Sequence, residues 1–192
     1  MAKQLWVLAG ANGSGKSTFY RLNLAPKGMA FVNADRIAIQ LDKAHTVDVS
    51  YQAATIAEKL RKNLLLSGNS FCFETVFSHP SKIDFVADAK ALGYDIILVY
   101  IHLIHHELNQ ARVKQRVSEG GHDVPVDKII SRIPRTMQCV RMALPLVDRT
   151  YLLDNSFSDR PFEKVALLTQ GKLTLFTSPL PAWAQEMLSG FI

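Results

Sequence analysis

The sequence of 192 residues lacks the features that mark secreted and membrane-bound proteins. It has only two cysteines, Cys72 and Cys139, which form no metal-binding pattern, so we expect a protein of a reducing compartment. Its longest apolar run, residues 96–101, has six residues, whereas a membrane-spanning helix needs about 18. The apolar N-terminal stretch leads straight into a glycine motif, which argues against a signal peptide. These absences predict a cytoplasmic protein without a membrane segment.

Low-complexity tracts, internal repeats and Pro- or Gly-rich linkers are also missing. Charged residues make up 20% of the chain and hydrophobic residues 48%, with ten glycines and eight prolines, which excludes a disordered or collagen-like protein. At about 150 residues per domain, the length predicts a single domain spanning residues 1–192. The net charge of +5 is concentrated, since residues 107–141 carry seven basic and four acidic side chains. This excess predicts an anionic partner near that segment.

Short apolar runs alternate with segments of helical periodicity along a core that we place at about residues 1–156. The apolar runs predict five strands, at residues 5–10, 29–32, 70–73, 96–102 and 151–153. Segments between them have helical spacing, which predicts a three-layer α/β sandwich with a five-stranded, mostly parallel sheet. The remainder, about residues 162–190, predicts a C-terminal hairpin followed by a short terminal helix.

The first strand runs into Gly10-Ala11-Asn12-Gly13-Ser14-Gly15-Lys16-Ser17, which matches the phosphate-binding motif G-x-x-x-x-G-K-[ST] in full. Its glycines allow successive backbone N–H groups to point at phosphate oxygens, and the helix that follows adds its positive N-terminus. Lys16 would reach the β- and γ-phosphates, and the hydroxyl of Ser17 would bind Mg²⁺. The motif and its strand–helix context predict a P-loop NTPase fold of the adenylate-kinase-like type. We expect residues 10–17 and the adjoining Thr18 to bind a nucleoside triphosphate.

Two other P-loop classes are disfavoured by missing motifs. The chain lacks the Asp-x-x-Gly and Asn-Lys-x-Asp sequences with which switch GTPases bind magnesium and guanine, so ATP is favoured over GTP. Residues 66–68 match three letters of the transporter signature Leu-Ser-Gly-Gly-Gln, and Asn69 then departs from it. A helix end explains this segment better.

Two carboxylates follow predicted strands, where open α/β sheets bind their ligands. Asp35 comes directly after the second strand and could accept the proton of an acceptor hydroxyl, or it could cap a helix beginning at Arg36. Glu74 ends the third strand and could bind an acceptor hydroxyl or a magnesium-bound water, or simply loop amides. Beside a P-loop we favour the catalytic interpretation of both.

Arginines flank a Gly120-Gly121 pair in the basic segment. Arg112 and Arg116 are four residues apart and share a helix face, and Arg132 follows the glycines. We predict a lid at about residues 112–132, with the glycines as a flexible joint and Arg116 and Arg132 neutralising transferring phosphate. Pro134 should kink or restart the second helix, which leaves open which arginines point inward.

Other polar residues near strand ends carry weaker signals. His122 could contact phosphate or pack in the Gly-Gly turn. The cluster of His102, His105 and His106 lacks a metal-binding spacing, and its members are interpreted as structural or surface residues. Residues 154–156 could shape an adenine pocket or form a turn.

These motifs together resemble the zeta-toxin-like P-loop kinases, and in particular their compact stand-alone members. The resemblance extends with gaps over most of the chain, and the matching segments are residues 10–18, 31–38, 73–78, 93–103 and 112–125. It implies ATP- and Mg²⁺-dependent phosphorylation of a small-molecule hydroxyl. In zeta toxins the substrate is UDP-N-acetylglucosamine, and an antitoxin protein is the partner.

The family's roles carry over to matching positions of this sequence. Lys16 and Ser17 take the P-loop roles, Asp35 that of acceptor base, and Glu74 that of an acceptor contact or a magnesium ligand through water. Arg116 and Arg132 would be the lid arginines, and Arg112 a possible substitute that contacts substrate. An antitoxin-like helical segment is not expected at either end of the chain.

The leading hypothesis is therefore a cytoplasmic kinase that uses ATP and Mg²⁺ to phosphorylate a small hydroxyl compound such as a nucleotide sugar. One alternative is a nucleoside or polynucleotide kinase. Another, from a different class, is an ATP-binding regulatory switch without a phosphoryl acceptor. Once the excess positive charge is assigned to a phosphate lid, nucleic acid is not expected as the main partner.

Overall fold

The computed structural model describes residues 2–41, 47–121 and 123–191. Within them, seven strands form one sheet in the order β2-β3-β1-β4-β5-β6-β7. The strands are β1 (Gln4–Ala9), β2 (Ala30–Val32), β3 (Phe71–Thr75), β4 (Asp95–His102), β5 (Arg149–Asp154), β6 (Glu163–Thr169) and β7 (Lys172–Leu175). The helices are α1 (Lys16–Asn23), α2 (Ala34–Leu41), α3 (Val47–Leu66), α4 (Ser81–Ala91), α5 (His106–Ser118), α6 (Val126–Ala143) and α7 (Ala182–Met187). His122, for which phosphate contact or turn packing was predicted, lies outside the described residues.

Apolar side chains of β1 point alternately to the two faces of the sheet, which explains why helices cover both faces. Leu5, Val7 and Ala9 point to one side, where they join a core with residues of α3, α4, α6 and α7. Leu8 points to the other side and packs with Tyr20 and the neighbouring Leu24 of the α1 segment. This arrangement confirms the predicted three-layer α/β sandwich.

The sheet is larger than the sequence predicts. β1 to β5 are mutually parallel where they pair, as expected. The predicted count of five strands is too low, because β6 of the predicted hairpin pairs antiparallel with β5 and β7 pairs with β6. Val165 and Ala166 are buried against the core, so the hairpin extends the sheet instead of standing apart from it.

One local prediction about the basic segment also changes. Helix α6 runs from Val126 to Ala143 with Pro134 inside it, so the proline does not restart the helix. Gly120 has a φ of 85°, and the backbone N–H of Gly121 donates to the carbonyl of Arg116 at 2.9 Å. The glycine pair therefore forms the C-terminal turn of α5. Within the described residues no helix is long and apolar enough to cross a bilayer.

His102, at the end of β4, is buried beneath α7. Its ring stacks on Trp183 with 4.5 Å between centroids, and its Nδ1 is hydrogen-bonded to the hydroxyl of Tyr100 at 2.9 Å. Burial lowers the pKa of His102 from 6.5 to about 4, and the nearby charge of Asp154 only partly opposes this effect. The structural interpretation of this histidine agrees with its position.

A histidine buried in its neutral form makes stability depend on pH. Because the pKa of His102 is lower in the folded protein than in the unfolded chain, the unfolded chain binds more protons between pH 6.5 and about 4. As the pH is lowered through that interval, we expect the free energy of unfolding of the wild type to fall by up to about 3 kcal/mol more than that of His102→Gln. Denaturant unfolding of both proteins at several pH values measures the difference. A difference that does not change with pH would contradict the assignment.

Candidate active site

The order of the strands opens a crevice at the carboxyl end of β1. The chain leaves β1 toward β2 and β3 on one side, whereas β4 pairs with the opposite edge of β1. Ligands of open α/β sheets bind at such a reversal of strand order. The loop of residues 10–15, between β1 and α1, lies at this point.

The glycines of this loop occupy positions that no other residue would fit. Gly13 has a φ of 78°, and an added Cβ would lie 2.6 Å from the backbone oxygen of Asn109. Gly15 has a φ of 103°, and an added Cβ would lie 2.5 Å from the side-chain amide nitrogen of Asn155. The predicted segment 10–18 thus forms a tight loop followed by the first turn of α1.

Two asparagines brace the loop from outside. The buried Asn109 of α5 donates from Nδ2 to the carbonyl of Asn12 at 2.8 Å. Asn155 donates from Nδ2 to the carbonyl of Ser14 at 2.8 Å and accepts at Oδ1 from the N–H of Phe162. Sequence reasoning did not find Asn109, for which no local signal exists, and considered Asn155 only for an adenine pocket or turn.

Lys16 is buried at the start of α1. Its Nζ donates to the carbonyls of Gly10 at 3.0 Å and Ala11 at 2.9 Å. Burial lowers the pKa of Lys16, and the negative charges of Glu74 and Asp35 oppose that shift. The fold thus brings the two predicted carboxylates within electrostatic reach of the P-loop lysine.

Glu74 reaches the P-loop because β3 pairs with β1, with Glu74 opposite Leu8. Its Oε2 accepts from the hydroxyl of Ser17 at 2.5 Å and from Nδ2 of Asn33 at 3.0 Å. The hydroxyl of the P-loop serine is therefore hydrogen-bonded to the carboxylate near the end of β3. Asn33, which sequence reasoning missed, completes the group.

Asn33 also shows that the side chain of Asp35 is not the cap of α2. Its Oδ1 accepts from the N–H of Arg36 at 3.2 Å, so Asn33 is the residue that caps α2. The alternative in which Asp35 caps the helix is wrong. The carboxylate of Asp35 instead lies 3.6 Å from Nη1 of Arg116, with both side chains partly exposed.

Two of the three predicted arginines lie at the cleft, and the third lies beside the P-loop. Arg116 lies beside Asp35, and Arg132 lines the same cleft. Arg112 is half-buried and donates from Nη2 to the carbonyl of Asn155 at 2.9 Å, on the side that braces the P-loop. Burial lowers the pKa of Arg112. Arg116 and Arg132 are thus placed to act on the cleft directly.

These groups surround a cleft of about 500 Å³. Lys16, Asp35, Glu74 and Arg132 all line it, together with residues of α3 and of the segment leading from β3 into α4. Side chains at Gly13 and Gly15 would collide with the bracing Asn109 and Asn155, so the glycines keep the loop tight, and its N–H groups suit the phosphates of ATP. The hydroxyl of Ser17 and the carboxylate of Glu74 supply oxygen ligands of the kind that Mg²⁺ takes.

A phosphate loop after the central strand, with carboxylates at neighbouring strand ends, defines a P-loop NTPase fold of the kinase type. The chain matches the zeta toxin family over residues 1–145. It belongs to that family, as its motifs predict.

Individual proteins resemble this chain in sequence or in fold. An uncharacterized protein of Haemophilus influenzae is 32% identical over 132 residues, which are 65% of this chain and 94% of that protein. The fold resembles the AvrRxo1-ORF1:ORF2 complex with ATP, with a TM-score of 0.73 and 20% identity over 91% of this chain, and the match spans 61% of that chain. It also resembles the PezAT chromosomal toxin–antitoxin system of Streptococcus pneumoniae, with a TM-score of 0.66 and 16% identity over 99% of this chain and 84% of that one.

Proposed function

We propose that the protein is a kinase that uses ATP and Mg²⁺ to phosphorylate a hydroxyl group of a small molecule, such as the nucleotide sugar UDP-N-acetylglucosamine. One observation carries the proposal. A single cleft is lined by Lys16, Glu74 and Asp35. Lys16 follows the phosphate-binding loop, and Glu74 accepts a hydrogen bond from the hydroxyl of Ser17. The carboxylate of Asp35 is not used to cap α2, because Asn33 caps that helix. Membership of the zeta toxin family supports this function.

The P-loop side of the cleft would hold the nucleotide. Backbone N–H groups of residues 10–18 and the ammonium of Lys16 bind phosphate oxygens, and Ser17 and Glu74 provide the magnesium site, Glu74 either directly or through water. Bound ATP supplies the phosphoryl group, and Mg²⁺ offsets its negative charge. Asn109 and Asn155 keep the loop in shape through their bonds to Asn12 and Ser14.

The opposite side would hold the acceptor. Asp35 accepts the proton of the acceptor hydroxyl while the hydroxyl oxygen bonds to the γ-phosphorus and the bond from that phosphorus to ADP breaks. Arg116 holds the Asp35 carboxylate in position, and Arg116 and Arg132 offset the charge of the transferring group. Arg112 would support the P-loop indirectly, because it donates to the carbonyl of Asn155, whose side chain is bonded to Ser14.

We further propose a cytoplasmic location and an antitoxin partner. Both cysteines are free and buried, as expected in a reducing compartment. The PezAT system pairs a toxin with an antitoxin, and AvrRxo1-ORF1 was solved together with ORF2, which supports a protein partner for this chain. A small reading frame beside the gene for this protein is the place to look for it.

The direct test is to incubate the protein with labelled ATP and a metabolite extract, and in parallel with UDP-N-acetylglucosamine alone. We expect a labelled, phosphatase-sensitive product that mass spectrometry identifies as a phosphorylated small molecule. Label recovered in RNA or DNA would indicate a polynucleotide kinase instead. ATP binding with no acceptor-dependent consumption of ATP would overturn the proposal and favour a regulatory switch.

A further inference from the structure

Two cations on the α3–α4 wall of the acceptor cleft have no part in the proposed transfer of phosphate. Arg61 of α3 and Lys82 of α4 line the same cleft as Lys16 and Asp35. The charges that act on Lys16 are those of Glu74, Asp35 and Arg116. Arg61 and Lys82 instead act on each other and on Glu58, so they form a second, separate charged group in the cleft.

Arg61 is an unusually placed arginine. Only 8% of the residue is exposed, and in the described part of the chain its guanidinium makes no hydrogen bond or ion pair, while its buried Nε has no acceptor. Its charge lies over the rings of Phe73 at 5.3 Å and Phe85 at 5.8 Å. Burial of a cation without an anion is costly, and cation–π contacts offset only part of that cost. Such a side chain can bind an anionic group of a ligand that enters the cleft.

Lys82 adds a second positive charge. Lys82 is half-buried and lines the same cleft as Arg61, where burial and then the positive charge of Arg61 lower its pKa. Glu58 is the acidic side chain that acts on both, but its carboxylate is exposed and pairs with Lys62 at 2.8 Å. Within the described residues neither cation makes an ion pair, because Glu58, which also lines the cleft, pairs with Lys62 instead.

We propose that Arg61 and Lys82 form an anion-binding subsite that holds a phosphate, diphosphate or carboxylate group of the phosphoryl acceptor. The inference rests on the proposed function, because it concerns the molecule whose hydroxyl Asp35 would deprotonate. The guanidinium offers planar, paired N–H donors, and the ammonium a point charge, a combination suited to phosphate-type oxygens. The subsite selects anionic acceptors over neutral sugars and polyols.

Binding of inorganic phosphate tests the subsite without a known acceptor. The P-loop is first saturated with Mg²⁺ and a non-hydrolysable ATP analogue, and phosphate is then titrated by calorimetry. We expect the wild type to bind phosphate, and Arg61→Gln and Lys82→Gln to bind it at least about tenfold more weakly. Lys59→Gln, an exposed position on the same helix, is the matched control and should bind like the wild type.

Two outcomes would overturn the subsite. These are no phosphate binding to the nucleotide-loaded wild type, or equal binding in both variants and the control. Because Arg61 is buried, its variant could fail to fold; Lys82 is only half-buried, and its variant then decides. Affinity for the ATP analogue should be the same in all four proteins.

A second experiment separates failure of the subsite from failure of the kinase proposal. The metabolite extract is divided on an anion-exchange resin before incubation with labelled ATP. We expect the labelled acceptor in the retained, anionic fraction, with a KM raised about tenfold in Lys82→Gln and little change in kcat. Label only in the unretained fraction overturns the subsite and leaves the kinase. Label in neither fraction refutes the kinase proposal, and the phosphate titration still decides the subsite.

Discussion

Asp35→Asn is expected to lower acceptor phosphorylation by about two to four orders of magnitude, the contribution typical of a positioned general base. Asparagine has nearly the same shape as aspartate but cannot accept the hydroxyl proton. The substitution should leave α2 intact, because Asn33 caps that helix. Steady-state transfer of label from ATP to the acceptor measures the loss.

Controls distinguish loss of the base from general damage. Asp84→Asn changes an exposed aspartate in the first turn of α4 and should keep the wild-type rate. Binding of ATP to Asp35→Asn should stay within about twofold of wild type, since the proposed contact of Asp35 is with the acceptor. Full phosphorylation by Asp35→Asn with unchanged ATP binding would remove Asp35 from the role of base.

Lys16→Met should lower turnover by about 100- to 1,000-fold, the cost typical of removing one preorganised contact to developing charge. Methionine has a similar length and no charge, so it fills the buried position but cannot neutralise phosphate. The carbonyls of Gly10 and Ala11 lose their donor, and ATP affinity should fall as well. Single-turnover phosphorylation at saturating ATP separates the two effects.

The matched control for this substitution is Lys114→Met, which removes an exposed lysine from α5. Thermal unfolding should show that Lys16→Met remains folded, because the substitution removes a buried charge instead of adding one. Turnover by Lys16→Met at the wild-type rate, with ATP saturating, would exclude a role for the lysine in phosphoryl transfer.

The parts of this site that were predicted from sequence depend on local patterns. The P-loop is a contiguous motif, and its strand and helix are visible as an apolar run followed by helix formers. Glu74 and Asp35 were found because each directly follows an apolar strand, and parallel strands bring such ends to one edge of the sheet. The contact of Ser17 with Glu74 follows from β3 pairing with β1.

The parts that were missed depend on contacts between distant segments. Asn109 is separated from Asn12 by 97 positions, and an asparagine at a helix start carries no signal of such a partner. The bond from Asn33 to Glu74 becomes visible only when β2 and β3 are side by side, whereas its capping of α2 is a local contact that the sequence analysis considered for Asp35 instead. The antiparallel pairing of β6 with β5 is likewise set by long-range register.

Arg61 shows a different limit of sequence reasoning. It stands between Leu60 and Lys62 in a charged stretch of α3, where an arginine is expected to face solvent. The structure buries it against two aromatic rings that come from β3 and α4. The helical pattern alone does not reveal which polar residue of a helix another layer will cover.

The bracing of the P-loop by Asn155 changes what counts as the minimal working unit of this protein. The family match ends at residue 145, and every residue proposed to touch phosphate or the acceptor hydroxyl precedes that point. Asn155 and Phe162, however, come after it and tie the loop to the end of β5 and the start of β6. A fragment cut to the shared family region would keep the chemical groups and lose the scaffold that sets their spacing. The C-terminal extension of the sheet is therefore a structural partner of the nucleotide site, supplied by the same chain.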